Sequence, residues 1–374
     1  MMLAAGIMSG TSLDGIDAVV VEIRGRRVKT LGFHAAPYPR EVRDALLAVS
    51  NANTHTAQIA RLDFLLPELY AEAVKKACAK AGAPPGSLRV AGCHGQTIFH
   101  EGSPVKVLGR RVASTMQIGN GCVLARRLGV PVVSDFRARD IAAGGQGAPL
   151  VPYVDYLLFR HRRKGRVALN IGGIANITAI PPNARPEQVI ACDTGPGNMV
   201  IDGLVRAHTG GRMTCDRGGR LAARGRVNRP LLDELLRDPY YRRRPPKSAG
   251  REQYGEEFVN RMRGSGLPIE DLAATATALT AATIADAVRR FARFTPDEII
   301  ASGGGVHNPT LMGQLAAFLP GVSLASSAAF GIDPDAKEAV AFAVLAAETI
   351  RRRPSNLPSA TGAREPVVLG KVSW

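Results

Sequence analysis

The sequence predicts an α/β protein that is built from two similar domains. A chain of 374 residues is too long for one hydrophobic core, so two domains are expected. A strand, a glycine turn and a second strand follow one another twice, over residues 3–23 and 167–178, about one domain length apart. Other apolar strands precede segments with helical spacing of apolar residues.

Composition and charge exclude several classes of protein. The chain is 45% hydrophobic and 21% charged, as is ordinary for globular proteins. Its net charge of +16 is compatible with nucleic-acid binding, but the basic runs are scattered and only 5% of residues are aromatic. We therefore expect no nucleic-acid partner and interpret the charge as an Arg-rich, solvated surface that attracts anionic substrates.

Cysteine usage and the apolar segments indicate a cytoplasmic protein. The five cysteines form no CxxC pair, so reduced thiols are expected rather than a zinc site or disulfides. No basic residue precedes the short apolar N-terminal segment, so it does not resemble a signal peptide. No stretch approaches about 18 uninterrupted apolar residues, so no membrane partner is expected.

The first predicted element is a strand over residues 3–8, followed by a turn over residues 9–15 and a β-branched strand. The turn contains two glycines, three hydroxyl groups and the carboxylate of Asp14. Such a turn is typical of an anion-binding nest, and a carboxylate beside it suits hydrated Mg2+. It is not a Walker A loop, because it lacks Gly-Lys-Ser/Thr and a strand follows it. An ordinary hairpin turn is the alternative.

Strands and helices then alternate up to a polar turn. A strand is predicted over residues 28–36, and helices over 41–50 and 56–81. A short strand over residues 89–98 runs into a turn where Gln96 and Thr97 would hydrogen-bond a sugar, since ligands bind at the carboxyl ends of strands. His94 of the same turn is interpreted as mainly structural.

The next predictions concern residues 117–159. Gln117 is predicted to open a helix that runs to residue 128, and Asp135 and Arg137 to close a strand over residues 130–134. Their position at a strand end indicates a site, and a local ion pair of little energy is the alternative. A glycine-rich loop over residues 142–149 is a predicted hinge or lid, and a helix follows it.

The second strand–turn–strand unit carries Gly172 and Gly173 in its turn. A later strand is predicted to lead Asp193 into a Thr-Gly-Pro-Gly turn, which would hold the carboxylate at a cleft. An Asx cap of the following helix is the alternative. After an Arg-rich segment, a strand over residues 298–302 runs into three glycines whose backbone would lie against adenine. The tail over residues 354–374 is predicted only to wrap the surface.

A series of motifs, taken in order, resembles the anhydro-N-acetylmuramic acid kinases. The motifs span residues 9–15, 94–97, 117–120, 135–137, 144–150, 170–176, 193–198 and 303–305, and the match extends to 246–248 and 361–364. The resemblance implies two actin-like (ribonuclease H-like) domains that face a cleft for nucleotide and sugar. Domain I would comprise residues 1–137 with 338–374, and domain II residues 138–337 with a helical insertion over about 212–264. The chain departs from the family at Cys192, where an aromatic residue is usual, and in its Arg-rich insertion.

The resemblance also implies a reaction. Such a kinase opens the 1,6-anhydro ring of 1,6-anhydro-N-acetylmuramic acid with water and phosphorylates O6, using ATP and Mg2+. The product, N-acetylmuramic acid 6-phosphate, enters peptidoglycan recycling and amino-sugar catabolism. Asp193 would be the base that activates the water, and Glu338 would assist it. The resemblance further implies a homodimer.

The implied binding residues form two sets. Those for ATP are Ser9, Gly10, Thr11, Ser12, Leu13, Asp14, Gly15, Ile16, Asp17, Gly172, Gly173, Asn176, Gly304, Gly305 and Asn308, with Asp14 holding Mg2+ through water. Those for the sugar are Gln96, Thr97, Gln117, Asp135, Arg137, Gly195 and Asn198. The sugar carries a lactyl carboxylate, for which Arg137 is the best-placed cation.

Three alternatives stay open on the sequence. The first is an ATPase of the actin or Hsp70 type, which changes shape and modifies no sugar. The second is a basic nucleic-acid-binding protein, and the third is a kinase that acts on an ordinary hexose. The polar sets at residues 94–97 and 135–137 argue against the first, because such an ATPase would have no use for them.

Overall fold

The computed structural model describes residues 1–10, 13 and 15–374 of the chain. These residues form two compact units: unit 1 comprises Met1–Leu158 and Phe330–Trp374, and unit 2 comprises Phe159–Ala329. Each unit contains helices and its own β-sheet, so the predicted α/β class is confirmed. In the described ranges no helix is long and apolar enough to cross a membrane.

The two sheets share a common five-strand order, to which the sheet of unit 1 adds β5 and β12. The strands are β1 (Met2–Ser9), β2 (Gly15–Arg24), β3 (Arg27–Pro37), β4 (Val90–Val107), β5 (Arg110–Ile118), β6 (Val132–Ser134), β7 (Arg166–Ile171), β8 (Ile174–Ile180), β9 (Ile190–Pro196), β10 (Glu298–Ser302), β11 (Ser323–Ser326) and β12 (Lys371–Ser373). In the described part of the chain, unit 1 has the order β12-β6-β4-β1-β2-β3, with β5 paired to β4, and unit 2 has β11-β10-β7-β8-β9. In each sheet an antiparallel meander continues into two parallel strands. The repeated strand–turn–strand unit therefore begins two sheets of similar topology.

Helices cover the faces of the sheets. They are α1 (Arg40–Val49), α2 (Thr56–Ala81), α3 (Gly121–Leu128), α4 (Phe136–Ala142), α5 (Val151–Phe159), α6 (Asn198–Thr209), α7 (Arg220–Arg224), α8 (Arg229–Leu235), α9 (Arg251–Tyr254), α10 (Glu256–Arg263), α11 (Ile269–Phe291), α12 (Pro309–Phe318), α13 (Lys337–Ile350) and α14 (Pro358–Thr361). In unit 1, α2 and α13 cover opposite faces of the sheet. Successive strand residues point to opposite faces, so Ala5 packs with α2 and its neighbour Ala4 packs with α13. In unit 2, α11 contributes both to the core under the sheet and to the core of the helical insertion.

Helix α13 lies directly on the backbones of two strands. A Cβ at Gly6 of β1 would be 1.9 Å from the carbonyl oxygen of Ala339, and a Cβ at Gly92 of β4 would be 2.1 Å from that of Phe342. Only glycine permits so close an approach. The first turn of α13, which carries Glu338, is thereby fixed against the sheet of unit 1.

The units differ from the predicted domains in two segments. Residues 138–158 and 330–337, which the sequence analysis assigned to domain II, have their contacts in unit 1. Val154 of α5 enters the core that contains α13, and Asp155 forms a buried ion pair with Lys337 at 2.9 Å. The apolar pattern of α5 predicts that this helix is buried, but the pattern does not specify which sheet it covers.

A long β-hairpin of β4 and β5 covers residues 90–118. The sequence analysis predicted a polar turn at residues 94–97 and the start of a helix at Gln117 within this range. β4 continues to Val107, and β5 pairs with it antiparallel. The prediction that Gln117 opens a helix is therefore wrong: Gln117 lies in β5, and α3 begins at Gly121 after its N-cap Asn120. Most of the hairpin beyond residue 98 is exposed or half-buried, so the alternation of apolar and polar residues that identifies a strand is weak.

Asp135 and Arg137 do not close a strand. β6 ends at Ser134, and Arg137 lies in the first turn of α4. Asp135 stands between these elements with a left-handed φ of 55°, which an aspartate tolerates better than most residues. The prediction failed because three strand residues are too few to show where the strand ends.

Asp193 lies inside a strand rather than after one. β9 continues to Pro196, and its register with β8 shifts between Ala175 and Asn176, opposite Asp193. The helix that follows has Gly197 as its N-cap, so the structure excludes Asp193 as an Asx cap of that helix. A bulge re-aims side chains locally, and it lies here beside the predicted base.

Candidate active site

The first glycine turn is described at its ends and at Leu13. The backbone N–H of Leu13 donates to the carbonyl of Gly10 at 3.1 Å, and Leu13 has a left-handed φ of 57° although its side chain is buried. That conformation is uncommon for a bulky residue and is typical of strained, functional turns. A Cβ at Gly15 would lie 2.2 Å from the carbonyl oxygen of Ala36, so glycine is required there.

Several predicted nucleotide contacts fall at this turn. Thr11, Ser12 and Asp14 lie outside the described residues, so their roles, including the Mg2+ site at Asp14, stay predictions. Ile16 is 3% exposed, so its side chain belongs to the core and only its backbone remains for a ligand. Asp17 is half-buried on β2. The described residues contain no group of three or more His, Cys, Asp or Glu side chains placed to hold a metal.

A buried polar network supports the carbonyl of Gly10. Gln96 is fully buried and donates through Nε2 to that carbonyl at 3.2 Å. Its Oε1 accepts from the Tyr38 hydroxyl at 3.4 Å, and Tyr70 links Tyr38 (3.4 Å) to Ser9 Oγ (3.0 Å). Gln96 was predicted to bind the sugar, but its side chain is engaged within the protein, with the Gly10 carbonyl, the Tyr38 hydroxyl and the Thr97 carbonyl at 3.3 Å.

Arg137 is held by a neutral histidine. Its Nε and Nη2 approach His94 Nε2 at 3.1 and 2.9 Å, and its Nη1 donates to the Gly147 carbonyl at 2.7 Å. Because a guanidinium has only donors, Nε2 must be the acceptor and Nδ1 carries the proton, which it donates to the Gly95 carbonyl at 2.7 Å. Burial, with the charge of Arg137, lowers the pKa of His94 to about 3. His94 therefore orients Arg137, in agreement with its predicted structural role.

Acidic groups compensate the charge of Arg137. Burial lowers the pKa of Arg137 to about 10, and the negative charges of Glu338 and Asp140 oppose that shift. Glu338 is half-buried in the first turn of α13. The structure thus places Glu338 electrostatically close to Arg137 within unit 1.

The charge state of His94 predicts acid sensitivity. The pKa of this group is lower in the folded chain than in the unfolded one, so its contribution to stability is present above about pH 6.5 and is lost as pH falls toward 3. Between pH 7 and 5 the free energy of unfolding of the wild type should fall by about 2 kcal/mol more than that of His94→Gln. Glutamine can accept a hydrogen bond from Arg137 but does not titrate. Urea unfolding at both pH values measures this, and equal losses in the two proteins would contradict it.

The predicted hinge is tied to the C-terminal tail. Asp140 is fully buried and accepts hydrogen bonds from Gly147 N (2.8 Å), Asn356 Nδ2 (2.7 Å) and Thr361 Oγ1 (2.8 Å). Gln146 N also donates to the Thr361 carbonyl at 2.8 Å. The prediction that the tail only wraps the surface is wrong, because its buried polar residues fix the loop whose Gly147 carbonyl holds Arg137.

The remaining sugar candidates of unit 1 differ in their surroundings. Gln117 Nε2 donates to Thr97 Oγ1 at 3.2 Å, and among the described residues Gln117 Oε1 is buried without a hydrogen-bond partner. That oxygen has unused capacity to accept a hydrogen bond, although it is buried in this structure. Asp135 instead forms an ion pair with Lys371 at 2.6 Å. This pair joins residues 236 positions apart, so it is not the local pair with Arg137 that was the alternative, and the sugar-binding role of Asp135 stays a prediction.

In unit 2 the second glycine turn is braced by helix α6. The Gly172 carbonyl accepts from Asn198 N at 2.8 Å, and the Gly173 carbonyl accepts from Gly197 N at 2.9 Å. Asn198 Nδ2 also donates to the Ile171 carbonyl at 3.3 Å. Asn198, predicted to bind sugar, thus supports the turn predicted to bind phosphate.

The glycine run after β10 packs against the same turn. A Cβ at Gly305 would lie 2.3 Å from the Ile171 side chain, whereas the nearest atom to a Cβ at Gly304 is 3.7 Å away. Gly304 thus has more room beside it for a ligand than Gly305. Asn308, predicted to contact the nucleotide, caps α12 by accepting from Leu311 N at 3.0 Å.

Asp193 has the environment expected of a base. Its Oδ2 accepts from Ala249 N at 2.9 Å, and the residue keeps partial solvent exposure. Burial raises the pKa of Asp193 to about 6, against the opposing effects of the Ala249 N–H and the charge of Lys247. Gly195 follows in β9 with a φ of 150°, where a Cβ would lie 2.9 Å from the Tyr241 ring.

Sequence reasoning missed three residues of these networks. Lys247 enters the sequence analysis only within the motif at residues 246–248. Tyr240, whose hydroxyl donates to the Asp193 carbonyl at 3.1 Å, enters it only within the Arg-rich insertion. Tyr70 was passed over within α2, where helical spacing predicts burial but not a hydrogen bond. The Pro-Lys-Ser motif was the available signal for Lys247, and the sequence contains no comparable signal for the two tyrosines.

The repeated sheet topology defines an α/β protein of two similar units, and in one of them a strand holds a carboxylate, Asp193, whose pKa is raised by burial. A family model for anhydro-N-acetylmuramic acid kinase matches residues 2–374. This chain belongs to the anhydro-N-acetylmuramic acid kinase family, which confirms the resemblance found in the sequence.

Relatives named anhydro-N-acetylmuramic acid kinase match this chain over nearly their full length. The anhydro-N-acetylmuramic acid kinase of Caldanaerobacter subterraneus subsp. tengcongensis is 46% identical, covering 99% of this chain and 96% of that protein. The protein of this name from Salinibacter ruber is 44% identical, covering 98% and 95%, and that from Gloeobacter violaceus 43%, covering 99% and 98%.

Two solved structures share a distant resemblance with this one. The (R)-2-hydroxyglutaryl-CoA dehydratase component A of Acidaminococcus fermentans has a TM-score of 0.47 and 11% identity, covering 94% of this chain and 100% of that chain. A ROK family glucokinase of Streptomyces griseus has a TM-score of 0.40 and 14% identity, covering 92% and 99%. Scores this low indicate nothing about what this chain binds.

Proposed function

We propose that this chain is an ATP-dependent kinase that opens the 1,6-anhydro ring of 1,6-anhydro-N-acetylmuramic acid with water and phosphorylates O6. The product is N-acetylmuramic acid 6-phosphate, which places the enzyme in peptidoglycan recycling and amino-sugar catabolism. Family membership and the names of the full-length relatives support the proposal. The observation on this molecule that carries it is Asp193, a partly exposed carboxylate whose pKa is raised to about 6 by burial.

Asp193 is the proposed general base. It takes a proton from the water whose oxygen bonds to the anomeric carbon, while the bond from that carbon to O6 breaks. O6 then forms a bond to the γ-phosphorus of ATP, and ADP leaves. A carboxylate with a pKa of about 6 is ionised at neutral pH and still accepts a proton readily.

The two glycine turns are the proposed phosphate-binding elements. The bend closed by Leu13 N and Gly10 O fits this role, because successive backbone amides in such a bend bind anions. ATP would be accompanied by Mg2+, which neutralises phosphate charge, and Asp14 is its proposed ligand through water. In unit 2, Gly173 and Gly304 are the proposed contacts to phosphate and adenosine.

Arg137 is the proposed ligand of the lactyl carboxylate. His94 and the Gly147 carbonyl hold its guanidinium in one orientation, so little side-chain entropy is lost on binding an anion. Thr97 and Gln117 are proposed partners of the sugar hydroxyls, and the unpaired Oε1 of Gln117 supports this role if its side chain turns toward the ligand. Glu338 is proposed to act through Arg137, by balancing its charge.

The proposal also covers the oligomeric state and the location of the protein. We propose a homodimer in the cytoplasm, on the resemblance to the family and on five cysteines without a CxxC pair. Light scattering on the purified chain tests the dimer.

The decisive experiment is an ADP-release assay with Mg·ATP. The substrates are 1,6-anhydro-N-acetylmuramic acid, glucose and N-acetylglucosamine, each at the same concentration. We expect turnover on the anhydro sugar alone, with one phosphate transferred per ring opened. Turnover on glucose but not on the anhydro sugar would replace the proposal with a hexose kinase.

Gln96→Leu separates the two roles considered for Gln96. Leucine fills a similar volume but cannot donate to the Gly10 carbonyl, so the KM for ATP should rise about fivefold to tenfold, as for one lost hydrogen bond. The KM for the sugar should hardly change. Initial rates with each substrate varied in turn measure both constants, with the exposed Gln58→Leu as the control. A rise confined to the KM for the sugar would restore the sugar-binding role.

A further inference from the structure

We propose that residues 240–249 of the helical insertion form a clamp that positions Asp193, and that Lys247 within it keeps this carboxylate ionised. The inference rests on the proposed role of Asp193 as the base. It assigns the insertion, which resemblance left without a role, to the chemistry of the site. Tyr240 and Lys247 are positioning residues in this proposal, because they act through Asp193.

The clamp contacts Asp193 at three of its polar atoms. Asp193 N donates to the Lys247 carbonyl at 3.2 Å, and the Asp193 carbonyl accepts from the Tyr240 hydroxyl at 3.1 Å. The side-chain oxygen Oδ2 accepts from Ala249 N at 2.9 Å. These contacts hold the backbone of Asp193 at its N–H and its carbonyl, and they hold one of the two carboxylate oxygens, Oδ2.

Lys247 is itself held in place. Its Nζ donates to the carbonyls of Tyr240 and Tyr241, both at 3.2 Å, and lies 4.5 Å from the centre of the Tyr240 ring. These partners are neutral, so they orient the ammonium group without cancelling its charge. This positive charge lowers the pKa of Asp193, after the larger effect of the hydrogen bond from Ala249 N.

The other titratable groups around Asp193 do not replace this charge. Burial raises the pKa of the Cys192 thiol to about 12 and that of the Tyr240 phenol further, so both are neutral near pH 7. Asp286 and Arg290 of α11 act on Lys247 with opposite signs, and they also form an ion pair with each other at 2.6 Å. Lys247 is therefore the cation that opposes the effect of burial on Asp193.

Removing this charge should move the titration of Asp193 upward. In Lys247→Met, burial would be opposed only by the Ala249 N–H, so the midpoint should rise by about 0.5 to 1 pH unit. Lys247→Arg keeps the charge and should restore the wild-type midpoint. The acid limb of kcat should shift by the same amount, because the base must be ionised to act.

The test measures the titration with and without turnover. Carbon-13 NMR of Asp-labelled protein, with the Asp193 signal identified by its loss in Asp193→Asn, gives the midpoint directly. A midpoint that is unchanged in Lys247→Met overturns the inference. If the titration midpoint of Asp193 rises in Lys247→Met while the acid limb of kcat does not shift, Lys247 does act on Asp193, but Asp193 is not the base. This outcome distinguishes a failure of the proposed function from a failure of this inference.

Tyr240→Phe tests the clamp independently, in case Lys247→Met does not fold. It removes a single hydroxyl that donates to the Asp193 carbonyl, so kcat should fall about fivefold to tenfold with the KM for ATP unchanged. Tyr254→Phe is the matched control, because Tyr254 lies in the same aromatic cluster and has no described contact with Asp193. Equal kcat values in the two variants would overturn the clamp.

Discussion

Replacing Asp193 by asparagine is expected to lower kcat on the anhydro sugar by at least about 1,000-fold, because asparagine cannot take a proton from water. The amide is similar in shape, and its oxygen can still accept from Ala249 N. The affinity for ATP should stay within about twofold of wild type, since the substitution removes only a transition-state interaction.

Three measurements check this expectation. Steady-state rates give kcat, calorimetry gives the ATP affinity, and thermal unfolding tests whether the fold is intact. Burial raises the pKa of Asp193, so ionisation costs stability in the folded state, and the variant should melt no lower than wild type above about pH 6. The exposed Asp44→Asn is the control. Retained turnover in Asp193→Asn would show that another group is the base.

Asp140→Ala is expected to cost about 3–5 kcal/mol of unfolding free energy, the largest stability effect of a single substitution proposed here. Asp140 is fully buried and accepts three hydrogen bonds, from Gly147, Asn356 and Thr361. Alanine would leave the Gly147 N–H without its acceptor, and it would leave Asn356 and Thr361 with only their longer hydrogen bonds to the carbonyls of Glu365 (3.4 Å) and Leu357 (3.3 Å). The Gly147 carbonyl would then hold Arg137 less firmly, so the KM for the sugar should rise as well.

Urea unfolding measures the loss of stability. Asp44→Ala, at a position where the carboxylate is exposed and 3.7 Å from Arg40, should cost less than about 1 kcal/mol. Thr361→Val removes one of the three donors and should cost about 1 kcal/mol. A cost below about 1 kcal/mol for Asp140→Ala would mean that the loop and the tail are held by other contacts.

Elements with strong local signals were predicted well. The sequence predicted α2 over residues 56–81 and β10 over residues 298–302, and the structure has the same bounds. Helix α2 shows the three- and four-residue spacing of buried residues and ends at Gly82 in a left-handed conformation. These signals lie within the element itself, so no knowledge of its neighbours is needed.

Elements without such signals were missed. The β4–β5 hairpin is largely exposed or half-buried beyond residue 98, so its sequence lacks the alternation that identifies a strand. The strand containing Asp193 continues to Pro196, although the Thr-Gly-Pro-Gly sequence is typical of a turn. Pairing with β8 outweighs this local preference, which is a long-range effect.

The sequence by itself determined the fold class, the repeated strand–turn–strand unit, the family and the chemical types present at the site. Only the tertiary structure decided which of these groups are available to a ligand. Gln96, Asn198 and Asn308 are engaged inside the protein, because burial obliges a polar group to find a partner. The pKa of Asp193 likewise depends on burial, which raises it, and on the charge of Lys247, which lowers it from more than 50 residues away in the chain; local sequence carries no measure of either.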